Sequence, residues 1–211
     1  MIEKYYTINE YGESELIIQK SRFIGYAKRV ESEKEAQDFI HSIKKKHYDA
    51  THNCSAYLIG DHDEIQKAND DGEPGGTAGV PILEVIKKKD LKYTAIVVTR
   101  YFGGIKLGAG GLIRAYSTAA SQVIDETGII EKKLVQEFFV EIEYTFLGKI
   151  QNDINETDFI LNKIHFENFV TLSIMVDVGK KEVFKSWIVN LTSNQVKIIE
   201  KDKLYLEVIK K

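Results

Sequence analysis

A glycine-rich segment between residues 100 and 114 combines the residue types that hold anions. Its glycines and cations are Arg100, Gly103, Gly104, Lys106, Gly108, Gly110, Gly111 and Arg114. Because glycine lacks a Cβ, backbone N–H groups there can converge on a ligand. The first turn of the helix expected to follow adds unpaired N–H groups with a partial positive charge. The segment is therefore predicted to face phosphate or an RNA backbone.

A purely structural role is the competing interpretation of this segment. The glycines would then let a helix pack closely on a sheet, and Arg100 and Arg114 would pair with acidic residues upstream. It is not a Walker A loop, and Ile113 stands where a dinucleotide fingerprint needs its third glycine. The run LGAGG resembles the phosphate loop of the small-metabolite (GHMP) kinases but lacks the Ser-Ser pair of that loop.

An acidic loop, NDDGEPGGTAG at residues 69–79, lies upstream. Its clustered carboxylates can in principle hold Mg²⁺, but their spacing lacks the alternating ligands of an EF-hand loop. The favoured interpretation is a tight turn whose acids cap the next helix, so neither a metal nor a cofactor is predicted. The second wall of the anion surface is expected to comprise His52, Asp70, Asp71, Glu73, Gly75 and Gly76.

The segment THNCSAY places His52 and Cys54 two positions apart, so on a strand the imidazole and the thiol share a face. No third, orienting group is evident for a catalytic dyad, and a small buried thiol is the favoured interpretation. Tyr101 and Phe102 are candidates for stacking bases, with burial in the core as the alternative. No catalytic residue is predicted.

The composition limits the class of protein. The 211 residues carry 29 Lys+Arg and 32 Asp+Glu, a net charge of -3, so a polyanion site has to be a local patch rather than a basic coat. The single cysteine excludes an intrachain disulfide and favours a reducing compartment. No signal peptide is evident, and no apolar run approaches the roughly 20 residues of a membrane helix. A cytoplasmic protein without membrane contact is predicted.

Hydrophobic periodicity predicts the elements that position these residues. Residues 15–30 give two apolar runs around Lys20-Ser21-Arg22, which indicates a hairpin. Ser32 with Glu35 indicates the start of a helix. Further predictions are a strand at 53–59, a polar loop at 61–76, a buried strand at 93–101 and a helix at 112–124 whose buried face includes Ile113. The apolar positions of residues 77–89 fit a helix or a strand, and a helix is favoured.

After Gly128 the pattern changes to that of a second domain. The predicted elements are a strand at 140–146, a helix near 150–154, a strand at 170–178, a helix at 183–191 and strands at 196–199 and 204–208. We interpret them as a ferredoxin-like βαββαβ domain at residues 136–211, following a first domain at 1–130. Because this domain has no glycine-rich loop, the exposed face of its sheet is predicted to bind a protein, a third and weaker functional hypothesis.

Three segments resemble the YigZ/IMPACT family: THNCSAY (51–57), NDDGEPGGTAGVPIL (69–83) and VVTRYFGGIKLGAGGLIRAY (97–116). The resemblance implies an α+β protein of the bacterial two-domain form. Its N-terminal domain would be like the second domain of ribosomal protein S-five and domain four of elongation factor G, followed by the ferredoxin-like module. Eukaryotic members regulate translation initiation through an additional N-terminal domain, for which this chain is expected to have no room. The resemblance implies contact with RNA or the translation machinery and gives no catalytic residues.

The leading hypothesis is a non-enzymatic protein that binds RNA, the ribosome or a translation factor and so regulates translation. The alternative is an enzyme acting on a phosphorylated small molecule or nucleotide held by the glycine-rich segment. Removal of Arg100 and Arg114 is expected to weaken RNA binding without unfolding the protein. The sequence leaves the ligand and the oligomeric state open.

Overall fold

The computed structural model describes residues 1–209, which form ten strands, five α-helices and two short 3₁₀ turns. In chain order the elements are β1 (Lys4–Ile8), β2 (Tyr11–Ile18), β3 (Ser21–Arg29), α1 (Glu33–Lys46), β4 (His52–Ile59), β5 (Ile65–Asn69), α2 (Gly79–Lys88), β6 (Thr94–Tyr101), α3 (Gly108–Thr127), β7 (Ile129–Ile142), α4 (Tyr144–Asp153), β8 (Ile160–Phe166), β9 (Val170–Asp177), α5 (Lys181–Leu191) and β10 (Lys197–Ile209). They divide into an N-terminal unit, Tyr5–Glu131 with residues 208–209, and a C-terminal unit, Lys132–Glu207 with Met1–Lys4. Residues 210–211, the end of the predicted second domain, lie outside the described residues.

The N-terminal unit is built on an antiparallel sheet in the order β2-β3-β6-β4-β5. Side chains alternate across the sheet, so Phe23, Cys54 and Val98 pack in one core with α2 and α3, while Tyr26 and Val97 pack in another with α1. β6 is buried along nearly its whole length, because it lies between two strands and both of its faces are covered. The end of β6 is therefore held in a fixed place.

Most of the predicted elements of this unit are confirmed. β2 and β3 form the hairpin, and Ser32 Oγ accepts the Glu35 N–H at 3.3 Å at the start of α1. The strand predicted at 53–59, the helix at 77–89 and the buried strand at 93–101 correspond to β4, α2 and β6.

Three predictions for this unit are wrong. The predicted loop at 61–76 contains β5, an edge strand that pairs with β4 alone and leaves most of its side chains exposed, so it carries no apolar alternation. α3 begins at Gly108 rather than at Leu112. The prediction placed its start too late because glycines, which have a low helix propensity, make up much of its first turn. Ile113, predicted on the buried face of this helix, is exposed.

The C-terminal unit has a four-strand order of β10-β7-β9-β8. Phe138, Leu172 and Ile174 from the sheet pack with Phe184 and Ile188 of α5 in one core. Strand order and the βαββαβ sequence of elements are those of a ferredoxin-like domain. The predicted α+β class and the ferredoxin-like architecture are confirmed.

The element predictions for the C-terminal unit need three corrections. Tyr144 and Phe146 open α4 instead of extending a strand, because the helical spacing of Leu147, Ile150 and Ile154 prevails over the alternation before it. β8 was not predicted, since this edge strand leaves most of its side chains in solvent. Residues 196–199 and 204–208 belong to one continuous strand, β10. None of the helices within residues 1–209 has both the length and the hydropathy needed to cross a bilayer.

Candidate functional site

A cleft of about 370 Å³ opens in the N-terminal unit where β6 ends and α3 begins. Its walls are Glu73, Pro74, Arg100, Phe102, Lys106, Leu107, Gly108, Ala109 and Leu112. Arg100 and Phe102 reach it together because alternate residues of an extended chain lie on one face. Of the residues predicted from the sequence, the cleft brings together Glu73, Arg100, Phe102, Lys106 and Gly108.

The start of α3 supplies backbone donors at this cleft. No side chain caps the helix, since Leu107 occupies the capping position, and the first turn holds no acidic residue. The first N–H groups of a helix lack an intrahelical partner and carry a partial positive charge. Lys106 is exposed beside them and makes no ion pair or hydrogen bond with any residue in the described part of the chain. The cleft is therefore electropositive on this side.

Arg100 forms the floor of the cleft and is only 5% exposed. Its Nη1 donates to Glu73 Oε1 at 2.7 Å and its Nη2 to Ser21 Oγ at 3.3 Å. Tyr116 OH also donates to Glu73 Oε1, at 2.8 Å. The Nε–H of Arg100 is buried and has no partner among residues 1–209. Arg100 is thus paired with an upstream acid, as the structural interpretation expected, and keeps one unused donor.

Asp70 of the acidic loop caps α2 from outside the helix. Its Oδ1 accepts the N–H groups of Ala78 and Gly79 at 3.0 and 2.8 Å, and its Oδ2 accepts the Gly76 N–H at 2.8 Å. Burial acts to raise the pKa of Asp70, but these three donors outweigh it and hold the pKa below its ordinary value. The capping interpretation made from the sequence is confirmed.

Asp71 fastens the same loop to the rest of the unit. Its Oδ1 accepts from Lys44 Nζ at 2.6 Å, and its Oδ2 accepts the Asn53 N–H at 2.6 Å. Burial raises the pKa of Asp71, while Lys44 and the Asn53 N–H lower it further than burial raises it. Within residues 1–209, no three His, Cys, Asp or Glu side chains are grouped as metal ligands.

His52 and Cys54 lie on one face of β4 but do not form a reactive pair. His52 Nδ1 is 2.8 Å from the Asp71 carbonyl oxygen, and its Nε2 is 3.8 Å from Glu73 Oε2. Cys54 Sγ donates to the Asp70 carbonyl at 2.9 Å. Burial raises the pKa of Cys54 to about 12, so the group is a neutral thiol at physiological pH. The interpretation of Cys54 as a buried structural thiol is confirmed.

Tyr101 and Phe102 lie on opposite faces. Tyr101 OH bonds to His47 Nδ1 at 2.9 Å and donates to Asp49 at 3.1 Å on the α1 side of the sheet. Burial, followed by the bond to Asp49, raises the pKa of Tyr101. Phe102 lines the cleft instead, with 48% of its surface exposed. The structure therefore separates the two aromatic residues that the sequence grouped.

The other predicted residues lie outside the cleft wall: His52, Asp70, Asp71, Gly75, Gly76, Tyr101, Gly103, Gly104, Gly110, Gly111 and Arg114. Their part in binding stays a prediction. Sequence reasoning did not single out four apolar members of the wall, Pro74, Leu107, Ala109 and Leu112, although all four lie within the two predicted segments. Leu107 precedes and Leu112 follows the glycines at 108, 110 and 111. An apolar residue on each side of this glycine run was the sequence signal for an apolar part of the wall.

Comparisons with known proteins place both units. The family described as Impact N-terminal domain matches residues 19–124, and the one described as Domain of unknown function (DUF1949) matches residues 140–195. IMPACT family member YvyE of Bacillus subtilis is 52% identical over 207 residues, which cover 98% of this chain and 95% of that protein. IMPACT family member YigZ of Escherichia coli is 30% identical, over 86% of this chain and 90% of that protein. A crystal structure described as an hypothetical protein superposes with a TM-score of 0.61 at 27% identity, over 96% of this chain and 99% of that one.

Proposed function

The chain belongs to the IMPACT family, and from that premise we propose that its cleft binds the phosphate backbone of RNA without catalysing a reaction. The binding would bring the protein into contact with the ribosome or a translation factor in the cytoplasm, and so regulate translation. The family resemblance supports this choice of partner, and the composition supports this choice of compartment.

The uncapped start of α3 is the observation that carries the proposal. A helix end with free N–H groups, no acidic residue in its first turn and an unpaired lysine beside it attracts an anion. Arg114 is exposed one turn further along, with its Nη1 beside Gly110, and forms no ion pair within the described chain. Two exposed cations near a set of backbone donors suit the repeating phosphates of a nucleic acid strand.

A binding role fits the cleft better than catalysis. An enzyme acting on a phosphorylated substrate needs a base or a nucleophile at the reacting atoms. Glu73 is the carboxylate of the cleft wall, and its Oε1 already accepts from Arg100 and Tyr116.

The test is the salt dependence of RNA binding by variants of Lys106 and Arg114. We expect Lys106→Ala and Arg114→Ala each to weaken binding and to reduce the slope of log affinity against log salt by about 1. Lys88→Ala is the control, because this exposed lysine lies at the far end of α2 from the acidic loop. An RNA affinity that does not change with salt would contradict the proposal.

Arg100 is unsuited to this test. The sequence suggested that its removal would leave the fold intact, but the structure shows its guanidinium buried against Glu73. Truncating Arg100 leaves a buried carboxylate without its cation, so a loss of binding would follow from a loss of stability.

A further inference from the structure

Phe102 is an exposed aromatic side chain on a rigid support. Its N–H donates to Thr51 Oγ1 at 3.0 Å, and the next N–H, that of Gly103, donates to Ser21 Oγ at 3.2 Å. The guanidinium carbon of Arg100 lies 5.5 Å from the centre of the ring. Ordered backbone and a fixed cation hold the ring in place, yet 48% of the residue faces solvent. A pinned and exposed aromatic is available for stacking.

The guanidinium of Arg100, beside the Phe102 ring, is also held in one position. Arg100 is pinned by Glu73 and Ser21, and its guanidinium carbon also lies 5.4 Å from the centre of the buried Phe23 ring. Its Nε–H is buried and has no partner among residues 1–209. A buried donor without a partner is costly in a folded protein unless a ligand or water satisfies it. The cleft is thus lined both by an aromatic ring that can stack and by an arginine with one unpaired N–H donor.

The surroundings of Phe102 favour a ligand that is partly apolar. Ile105 and Ile113, which lie near the start of α3, are also exposed, and Leu107 and Leu112 line the cleft. An inorganic anion uses none of this apolar surface, whereas a nucleotide uses both kinds, with a phosphate for the donors and a base for the aromatic ring. The cleft volume of about 370 Å³ suits a single small ligand unit.

We propose that an unpaired nucleotide occupies this cleft, with its base stacked on Phe102 and its phosphate at the start of α3, so that the protein prefers single-stranded to double-stranded RNA. The inference rests on the proposed RNA binding and specifies its substrate class. Bases inside a duplex are stacked on each other and cannot cover the Phe102 ring, so a duplex contacts the site through its backbone alone.

The experiment compares three probes of equal length: a single-stranded oligoribonucleotide, its duplex, and an abasic ribose-phosphate strand. Fluorescence anisotropy at low salt measures the affinity of the full chain for each. We expect the single strand to bind about tenfold more tightly than the other two, the effect of one stacked base. Phe102→Ala should lower the affinity for the single strand by the same factor and leave the abasic strand unchanged, while Phe102→Trp should retain the wild-type preference.

Phe166→Ala is the matched control, because Phe166 is an exposed phenylalanine of the C-terminal unit, 61% accessible to solvent. Equal affinity of wild-type protein for the single strand and the abasic strand would overturn this inference and leave phosphate binding intact. Tighter binding of the duplex would overturn it as well. Absence of binding to all three probes would overturn the proposed function and the inference together.

Discussion

The acidic loop at residues 69–79 and the glycine-rich segment at residues 100–114 lie close together in the N-terminal unit and, with the exception of Arg100, use their charges in opposite ways. The carboxylates of Asp70, Asp71 and Glu73 all accept hydrogen bonds from the interior of the unit. The cations Lys106 and Arg114 are exposed and pair with no residue in the described range 1–209. Similar densities of glycine and charge therefore give a structural loop in one case and an available surface in the other.

Arg100 is the point at which the two segments meet. It is the next-to-last residue of β6 and lines the cleft, yet its guanidinium is paired with Glu73 of the acidic loop. The division between structural and available charges thus follows burial rather than position along the chain. If the comparison holds, removing charges from the acidic loop should cost stability, and removing the exposed charges of Lys106 and Arg114 should not.

The largest effect is expected for Glu73→Ala. The change leaves the Arg100 guanidinium buried without its counter-charge, so the free energy of unfolding should fall by about 3–5 kcal/mol. Urea unfolding followed by circular dichroism measures the fall, and hydrogen exchange of the β6 amides assigns it to the N-terminal unit. Glu84→Ala, which removes an exposed carboxylate of α2, is the control and should change stability by less than about 1 kcal/mol.

A double variant isolates the pairing itself. Glu73→Ala combined with Arg100→Met removes both charges, and the double variant should be more stable than Glu73→Ala alone because no unpaired charge remains. If the two changes were simply additive, the ion pair would not be the reason for the loss.

The second largest effect is expected for Asp70→Ala. The substitution deprives the buried N–H groups of Ala78 and Gly79 of their acceptor, which should cost roughly 2–4 kcal/mol in total, at about 1–2 kcal/mol, the lower part of the usual range, for each buried donor. Thermal and urea unfolding at neutral pH measure the change. Lys67→Ala, on the exposed surface of β5, is the control and should not change the midpoints of thermal and urea unfolding.

The effect of Asp70 should fade in acid. Its pKa lies below the ordinary value of 3.8 in the folded protein, so the charged cap stabilises fully above that value and is lost as the pH falls through the lower, folded pKa. The stability difference between wild type and Asp70→Asn should shrink over this window. A difference that stays constant or grows on acidification would contradict the capping role.

The sequence predicted those parts of the N-terminal unit whose signals are local. The capping box at Ser32 and the buried run of β6 are examples, since hydrogen-bonding type and apolar continuity are legible over a few residues. It did not predict β5 or β8, because edge strands bury few side chains. It grouped Tyr101 with Phe102 because Phe102 lies beyond the predicted end of the strand at residue 101, so the alternation of faces along a strand was not applied to this pair. The burial of Arg100 depends on a contact across 27 positions with Glu73, which no local pattern records.

The third largest effect on stability is expected within the glycine-rich segment, where two of its glycines can be compared. A Cβ on Gly103 would overlap the backbone of Lys20 and Ser21, which belongs to the β2–β3 turn, so Gly103→Ala should destabilise the unit by about 1–3 kcal/mol. Gly110 lies in the first turn of α3 with only the Arg114 side chain nearby. Gly110→Ala should therefore be neutral or stabilising by up to about 1 kcal/mol, because alanine favours a helix. Urea unfolding of both variants measures the sign of the change in the free energy of unfolding. Equal losses of stability would show that the whole segment serves the fold.

The smallest effect on stability is expected for the double variant Lys106→Ala with Arg114→Ala. Neither side chain pairs with another described residue or fills the core, so the free energy of unfolding should change by no more than about 0.5 kcal/mol, as for other isolated surface positions. The same variant should lose affinity for RNA, because the lost charges are the ones available to a polyanion. A variant that keeps its stability and loses RNA affinity would show that Lys106 and Arg114 serve binding and not folding. A large loss of stability in this variant would instead mean that these cations support the fold as the acids of the neighbouring loop do, and the contrast between the two segments would fail.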